Sequence, residues 1–381
     1  MFDSVYQFSM PRETWIGNRS VEKLGPVLKK NNISKCLLVT DSFMAGSETG
    51  LKIQQILEQY QIDLSVYSGV TPNPTMDEVT EGLGQFLQQE CDALISLGGG
   101  SPHDCAKGIK YSVLKGNVCS LEKVFFAAVN TTAGTASEIT SFAVITDDEK
   151  HSKLTIVDEE LIPDVAIDDP SLMLDMPRSL TAATGMDAMT HAIEAYVAKG
   201  RNYLTDSSAV SAIRLIDRYL AKACREGHDL EARNGMVYAQ YMAGMAFSNA
   251  GLGIIHAMAH QLGGLYNLPH GVCNAALLPY GVRFNLNAGC DLYGELAKSL
   301  QLCTLSIPNK LAGERLVDYL IRFNAKLEMP QDLKQLNVNK EDFEKLAEMA
   351  MHDVSLTSNP VGADQEAIRS IFEKAYLGEC K

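Results

Sequence analysis

Ala93-Leu94-Ile95-Ser96-Leu97-Gly98-Gly99-Gly100-Ser101-Pro102-His103-Asp104-Cys105-Ala106-Lys107 sets the architecture of the first half of the chain. A short, almost wholly apolar run leads straight into consecutive glycines, and a helical pattern follows. The order is strand, tight turn, helix. An apolar run without polar alternation suits a strand covered on both faces, as in a parallel sheet flanked by helices. Glycines at such a turn let backbone N–H groups of a helix N-terminus approach a pyrophosphate that any Cβ would hold away. The turn lacks the GxGxxG spacing, and a purely structural connection is the alternative reading of the turn taken alone.

The same rhythm extends on both sides. Residues 35–40 read as a strand ending before Asp41, residues 50–60 as a helix, 63–67 as a strand and 76–90 as a helix. Further strands are expected over residues 124–129, 143–146, 153–157 and 165–167. From about Pro177 the pattern changes to long segments rich in Ala, Met, Leu and Glu, with apolar residues at helical spacing. The expected architecture is an α/β dinucleotide-binding domain with a parallel sheet over residues 1–178, followed by an all-helical domain over residues 179–381. A chain of 381 residues can bury two such cores.

Composition narrows the partners. Lys and Arg number 33 against 47 Asp and Glu, a formal net charge of −14, so no clustered basic surface for nucleic acid is expected. The nine cysteines are odd in number and form no CxxC pair, which suits reduced thiols in a cytoplasmic setting rather than a disulfide framework. A basic leader followed by an apolar run is absent from residues 1–13, and no stretch of membrane-spanning length is apolar throughout. Neither export nor membrane insertion is expected.

Asp41, at the tip of an early strand, can accept both ribose hydroxyls of NAD and repel the 2′-phosphate of NADP; as the residue before a helix it equally suits an N-cap. Asn130-Thr131-Thr132-Ala133-Gly134-Thr135-Ala136-Ser137-Glu138 follows another apolar run. Its hydroxyls suit phosphate, ribose or nicotinamide, or a plain polar loop closed by a capping box. Only eight histidines occur, yet His256, His260 and His270 fall close together in a helical, apolar stretch. His256 and His260 are four apart and share one helical face, and Asp187 and His191 repeat that spacing within a helix expected over residues 186–198. His270 follows the turn Asn267-Leu268-Pro269. Three imidazoles and a carboxylate make a nitrogen and oxygen donor set for a divalent first-row ion, iron(II) or zinc, without thiolates. Ala-Met-Ala separates His256 from His260, so the HExxH of zincin proteases is absent.

Residues 98–107, the run 130–138, Ala183-Thr184-Gly185-Met186-Asp187-Ala188-Met189-Thr190-His191-Ala192-Ile193-Glu194-Ala195-Tyr196, and His256-Ala257-Met258-Ala259-His260-Gln261-Leu262-Gly263-Gly264 through Leu268-Pro269-His270-Gly271 together resemble the iron-containing, or group III, alcohol dehydrogenases. The likeness runs in order over nearly the whole chain. It is strongest to the branch holding 1,3-propanediol dehydrogenase and iron-activated ethanol dehydrogenases, with methanol dehydrogenase and lactaldehyde reductase more distant. The resemblance implies a dehydroquinate synthase-like fold in which Asp187, His191, His256 and His270 are metal ligands and His260 is a catalytic non-ligand beside the nicotinamide. It also implies that Asp41, Gly98, Gly99, Gly100, Ser101, Thr131, Thr132 and Thr135 line an NAD site, joined by Asn73 and Lys153. The implied activity interconverts short-chain primary alcohols or diols and aldehydes, using NAD and Fe2+ (Zn2+ being accepted by the same donors), in a homo-oligomer built from dimers. Cofactor and ion are expected to meet where the two domains face each other.

Two departures stand out. Residues 108–129 are shorter than the corresponding segment of these relatives, and Gly200-Arg201-Asn202-Tyr203-Leu204 replaces a smaller, proline-containing turn. The rival readings are a zinc-dependent glycerol dehydrogenase or dehydroquinate synthase-like enzyme, and a non-catalytic metal-binding scaffold.

Overall fold

A computed structural model describes residues 5–116, 123–147 and 152–380. Strands β1 (Glu13–Ile16), β2 (Lys35–Val39), β3 (Asp63–Tyr67), β4 (Ala93–Gly98), β5 (Phe125–Asn130) and β8 (Val165–Asp168) form one sheet in the order β1-β8-β5-β4-β2-β3. Every pairing in it is parallel. Helices α1 (Leu24–Lys30), α2 (Ser42–Gly46), α3 (Glu48–Gln59), α4 (Met76–Gln88) and α5 (Gly100–Lys115) connect the strands. Alternation along each strand sends successive side chains to opposite faces. Leu38, Ile95, Leu97 and Val129 pack with Leu24, Leu28, Ile53 and Leu57 on one side. Leu37, Leu94, Phe126 and Ala128 pack with Val79, Phe86 and Ile109 on the other. Each of the Leu, Ile, Val and Phe side chains contributes about 1.5–3 kcal/mol through burial, which explains why the central strands read as unbroken apolar runs.

Residues 143–146 and 153–157 are strands, but they stand outside the parallel sheet. They belong to β6 (Phe142–Asp147) and β7 (Ser152–Val157), which pair antiparallel with each other. The sequence reading also passed over β1, a four-residue, half-buried edge strand with no alternation to mark it.

The chain runs from β2 to its neighbour β3, then returns to place β4 on the other side of β2. Strand order therefore reverses between β2 and β4, and the carboxyl ends of two such strands open a crevice where ligands bind in doubly wound sheets. Asp41 follows β2 and Gly98-Gly99-Gly100-Ser101 follows β4, so the topology brings both to this point.

The described residues from 177 onward contain helices and no strand: α6 (Arg178–Val197), α7 (Tyr203–Arg225), α8 (Leu230–Ala250), α9 (Ile254–Tyr266), α10 (His270–Asn287), α11 (Leu292–Ser299), α12 (Asn309–Lys326), α13 (Phe343–Met351) and α14 (Gln365–Leu377). Helix α6 starts at Arg178, earlier than read, and is buried on every face from Gly185 to Val197. The segment from Gly200 to Leu204 serves as the N-cap of α7, with Asn202 Oδ1 accepting from Leu204 and Thr205 N–H and Thr205 Oγ1 accepting from Asn202 N–H.

The chain forms two compact units, one of residues 9–176 and 228–237, the other of the described residues among 1–8, 177–227 and 238–381. Residues 228–237 thus belong with the sheet although they lie beyond the expected boundary at 178. Arg233 accounts for this: the residue is 1% exposed and its guanidinium donates to the carbonyls of Met176 at 3.0 Å and Leu174 at 3.5 Å.

All the described cysteines are free; Cys119 lies outside the described residues. Of residues 108–129, expected from the sequence to be shorter than in relatives, residues 117–122 also lie outside them, while the ends of the segment belong to α5 and β5. Among the described residues no single helix is long and apolar enough to cross a membrane.

Candidate metal centre and nucleotide cradle

Asp187 and His191 lie one turn apart on α6, His256 sits in the first turn of α9, and His270 is the first residue of α10. Asn267 ends α9 in the left-handed conformation (φ 52°), and Pro269 opens α10, so the short turn read from the sequence swings His270 back toward His256. One ligand atom from each of the four residues lies within 4.8 Å of the others. Asp187 Oδ1 is 3.9 Å from His191 Nε2, 3.7 Å from His256 Nε2 and 3.4 Å from His270 Nε2. Donors held about 2.0–2.2 Å from one ion stand about 3–4 Å apart, so the spacing fits a shared cation.

The surroundings call for positive charge. Glu194, on α6 and 1% exposed, accepts from His256 Nδ1 at 2.6 Å and from the Ile255 N–H at 2.7 Å. With its Nδ1–H committed to Glu194, His256 presents Nε2 as a lone pair to the centre. The Asn274 amide nitrogen lies 2.7 Å from Asp187 Oδ1 and 3.1 Å from both His256 Nε2 and His270 Nε2. Two amide hydrogens cannot serve three acceptors. Burial would raise the Asp187 carboxyl, yet the imidazoles of His191, His270 and His256 hold it far below the usual carboxylate range. Burial likewise opposes a proton on His256, but Asp187 and Glu194 raise it to about 9, so metal binding must release that proton. A divalent ion satisfies this donor set.

Sequence reasoning missed Glu194 and Asn274. Their signal is a lone acid or amide inside an otherwise apolar helical segment, Ala192-Ile193-Glu194-Ala195 and Cys273-Asn274-Ala275. Glu194→Gln is expected to lower metal affinity about 10–100-fold while the protein stays folded, as read by competition with a chelator; unchanged affinity would mean that Glu194 only caps α9.

His260 stands apart from the four-residue group. Its ring stacks on that of His270, with centroids 5.1 Å apart, and meets His256 edge-on at 6.0 Å. Its Nδ1 lies 2.8 Å from Asp353 Oδ2. It is a near neighbour of the centre whose Nδ1 is already engaged.

In the sheet unit, the loops after β2, β4 and β5 come together. Gly98 has φ 144°, a conformation for which glycine is suited, and it enters α5 through Gly99 and Gly100. Asp41, Ser42, Thr71, Gly99, Gly100 and Ser101 line a cavity of about 450 Å³ at the strand-order reversal. Asp41 does act as an N-cap, its Oδ1 accepting from Met44 N–H at 2.8 Å, and it lines the cavity as well. Thr131 N–H donates to the Gly98 carbonyl at 2.9 Å. A Cβ on Gly99 would come within 2.8 Å of the Thr132 side chain, and one on Gly100 within 3.2 Å of Thr135, so both threonines pack directly on the glycine turn. Asn73, at φ 62°, donates its N–H to Ser101 Oγ at 3.3 Å and accepts at Oδ1 from Lys153 Nζ at 2.9 Å. The fold thus gathers every residue assigned to the nucleotide by resemblance into one region of this unit.

That region rests on buried polar supports which sequence reasoning also missed. Asn130 accepts from Thr132 N–H at 3.0 Å and donates to Asp168 Oδ1 at 2.8 Å. Lys107, fully buried on α5, donates to Ser137 Oγ at 3.0 Å, Thr140 Oγ1 at 3.1 Å and the Phe142 carbonyl at 2.6 Å. Burial pushes its ammonium from 10.5 down to about 8, against the opposing pull of Asp104 and Glu138. Between those values the unfolded chain binds the extra proton, so this group adds stability as pH rises from about 8 and has lost that contribution below it. Relative to Lys107→Met, the wild type should gain up to about 1.4 kcal/mol per pH unit across that window in urea unfolding. A wild type that loses stability relative to Lys107→Met as pH rises through that window would contradict the assignment.

Comparison with known proteins agrees with this geometry. The Iron-containing alcohol dehydrogenase family matches residues 11–170, and the Fe-containing alcohol dehydrogenase family, C-terminal, matches residues 181–376. The NAD-dependent methanol dehydrogenase of Bacillus methanolicus is 42% identical over 377 residues, 97% of this chain and 99% of that protein. The 1,3-propanediol dehydrogenase of Citrobacter freundii is 42% identical over 383 residues, 98% of this chain and 99% of that protein. Methanol dehydrogenase is therefore no more distant than propanediol dehydrogenase, contrary to the sequence reading. A crystal structure of 1,3-propanediol oxidoreductase superposes with a TM-score of 0.94 at 40% identity, covering 98% of this chain and 100% of that one. With both halves matched in order and relatives of this identity along its length, the chain belongs to the iron-containing alcohol dehydrogenase family.

Proposed function

We propose that the protein interconverts short-chain primary alcohols or diols and the corresponding aldehydes, with NAD(H) as hydride carrier and Fe2+ held by Asp187, His191, His256 and His270. The convergence of those four donors within 4.8 Å, in a chain of this family, is the observation that carries the reading. Relatives named as NAD-dependent methanol dehydrogenase and 1,3-propanediol dehydrogenase support the cofactor and the substrate class. The rival readings as a lyase, a polyol enzyme or a scaffold gain no support from these relatives. An ion bound there would polarise the substrate oxygen as a Lewis acid and favour loss of its proton near neutral pH.

The chain's own residues do the rest. Glu194 fixes the face of His256 turned to the centre, and His260 takes up and hands on the hydroxyl proton as hydride leaves the carbon for nicotinamide. Gly98, Gly99, Gly100 and Ser101 offer N–H groups at the start of α5 to the pyrophosphate, with Thr131, Thr132 and Thr135 beside them and Asn73 and Lys153 at the flank. Asp41 receives the ribose hydroxyls and disfavours a 2′-phosphate. We place the protein in the cytoplasm, in keeping with the free thiols of its described cysteines, and as a homo-oligomer, a dimer or an assembly of dimers.

Anaerobic assay of the iron-loaded protein tests this reading. NAD should be reduced with ethanol, propanol or 1,3-propanediol, with NADP markedly poorer. No turnover with any short alcohol or diol, in protein that binds both iron and NADH, would overturn it.

A further inference from the structure

Asp353 lies far from the metal ligands in sequence, just before the short helical turn Val354–Ser358, and no motif marks it. Its carboxylate is nearly buried, with 8% of the side chain exposed, and both oxygens are occupied. Oδ1 accepts from the Ser355 N–H at 2.9 Å, and Oδ2 accepts from His260 Nδ1 at 2.8 Å and Gln261 Nε2 at 3.2 Å. Every partner is a donor, so the contact to His260 requires a hydrogen on Nδ1. That leaves Nε2 as the nitrogen that accepts. The arrangement repeats, on the neighbouring turn of α9, what Glu194 does for His256.

We propose that Asp353 is a positioning residue for the reaction, fixing the tautomer and ring orientation of His260 so that Nε2 can take the substrate's hydroxyl proton. The inference rests on the relay role given to His260 above. In alcohol oxidation the O–H bond breaks and its proton passes to Nε2, while the hydride leaves the same carbon with its electron pair for NAD+. Nδ1–H stays on Asp353 throughout, and the proton on Nε2 then goes to solvent. The tautomer with hydrogen on Nε2 has no lone pair there and cannot begin this sequence. Asparagine cannot replace Asp353 cleanly, because its NH2 would face either the Ser355 N–H or the donors of α9.

The test is made on the zinc-loaded, diamagnetic protein labelled with 15N-histidine and on iron-loaded variants. Long-range 1H–15N spectra of the wild type should show His260 protonated at Nδ1. In Asp353→Ala, kcat should fall at least ~100-fold with metal content retained and the KM for NAD within about twofold. Asp353→Glu should recover part of the rate. A wild-type His260 protonated at Nε2, or Asp353→Ala turning over at the wild-type rate, would overturn the proposal. The spectrum of the wild type decides even if the alanine variant does not fold. Wild-type kcat in His260→Ala would instead remove the relay on which the proposal stands.

Discussion

His256→Ala is expected to lose the metal and turnover together, in a protein that still folds. His256 supplies one of the four converging donors, is 1% exposed, and is tied from behind through Glu194 at 2.6 Å. Its removal also takes one of the two donors described above from the buried Glu194 carboxylate, leaving the Ile255 N–H. The rate loss should exceed the ~10–100-fold that follows loss of an outer partner alone. Metal that binds only the folded state at 1,000 times its Kd adds about 4.1 kcal/mol of stability, and the variant should forfeit this gain. Elemental analysis and thermal melts with and without added iron measure both effects. Retention of iron at the wild-type level would show that the ion is held elsewhere.

The second large effect belongs to the glycine turn. Gly99→Val should weaken NADH binding at least ~100-fold, equivalent to about 2.7 kcal/mol, with the metal content unchanged. A Cβ at this position meets Thr132 Cγ2 and Oγ1 at 2.8 Å. Thr132 cannot readily yield, because its N–H is held by Asn130, which is itself anchored on Asp168. The branched side chain would therefore distort the turn and stand among the N–H groups offered to the pyrophosphate. An NADH fluorescence titration gives the affinity, and a Kd within threefold of the wild type would detach this turn from the cofactor.

Much of this was legible in the residues because local pattern and tertiary role coincide. The apolar run 93–97 is a buried central strand and the glycines after it form the turn, since both depend on short-range sterics. Asp187 and His191, like His256 and His260, were assigned to common faces by helical spacing alone. Spacing could not separate His256, proposed as a ligand, from its neighbour His260; what differs is their partners, Glu194 and Asp353, which the chain supplies from α6 and from the far C-terminal region. Asn130, Lys107 and Asp168 escaped for the same reason, as each acts through contacts distant in sequence. Strand β1 was invisible because a half-buried edge of four residues carries no period. The membership of β6 and β7 in a separate sheet depended on pairing, which apolar runs do not encode.

X-ray absorption at the iron edge of the reconstituted protein bears on the heart of the account, the meeting of Asp187, His191, His256 and His270 on one ion. The spectrum should show a first shell of nitrogen and oxygen only, with outer-shell scattering from three imidazoles, and His256→Ala should leave any residual iron with fewer. A sulfur shell, or an imidazole signal unchanged by that substitution, would contradict it.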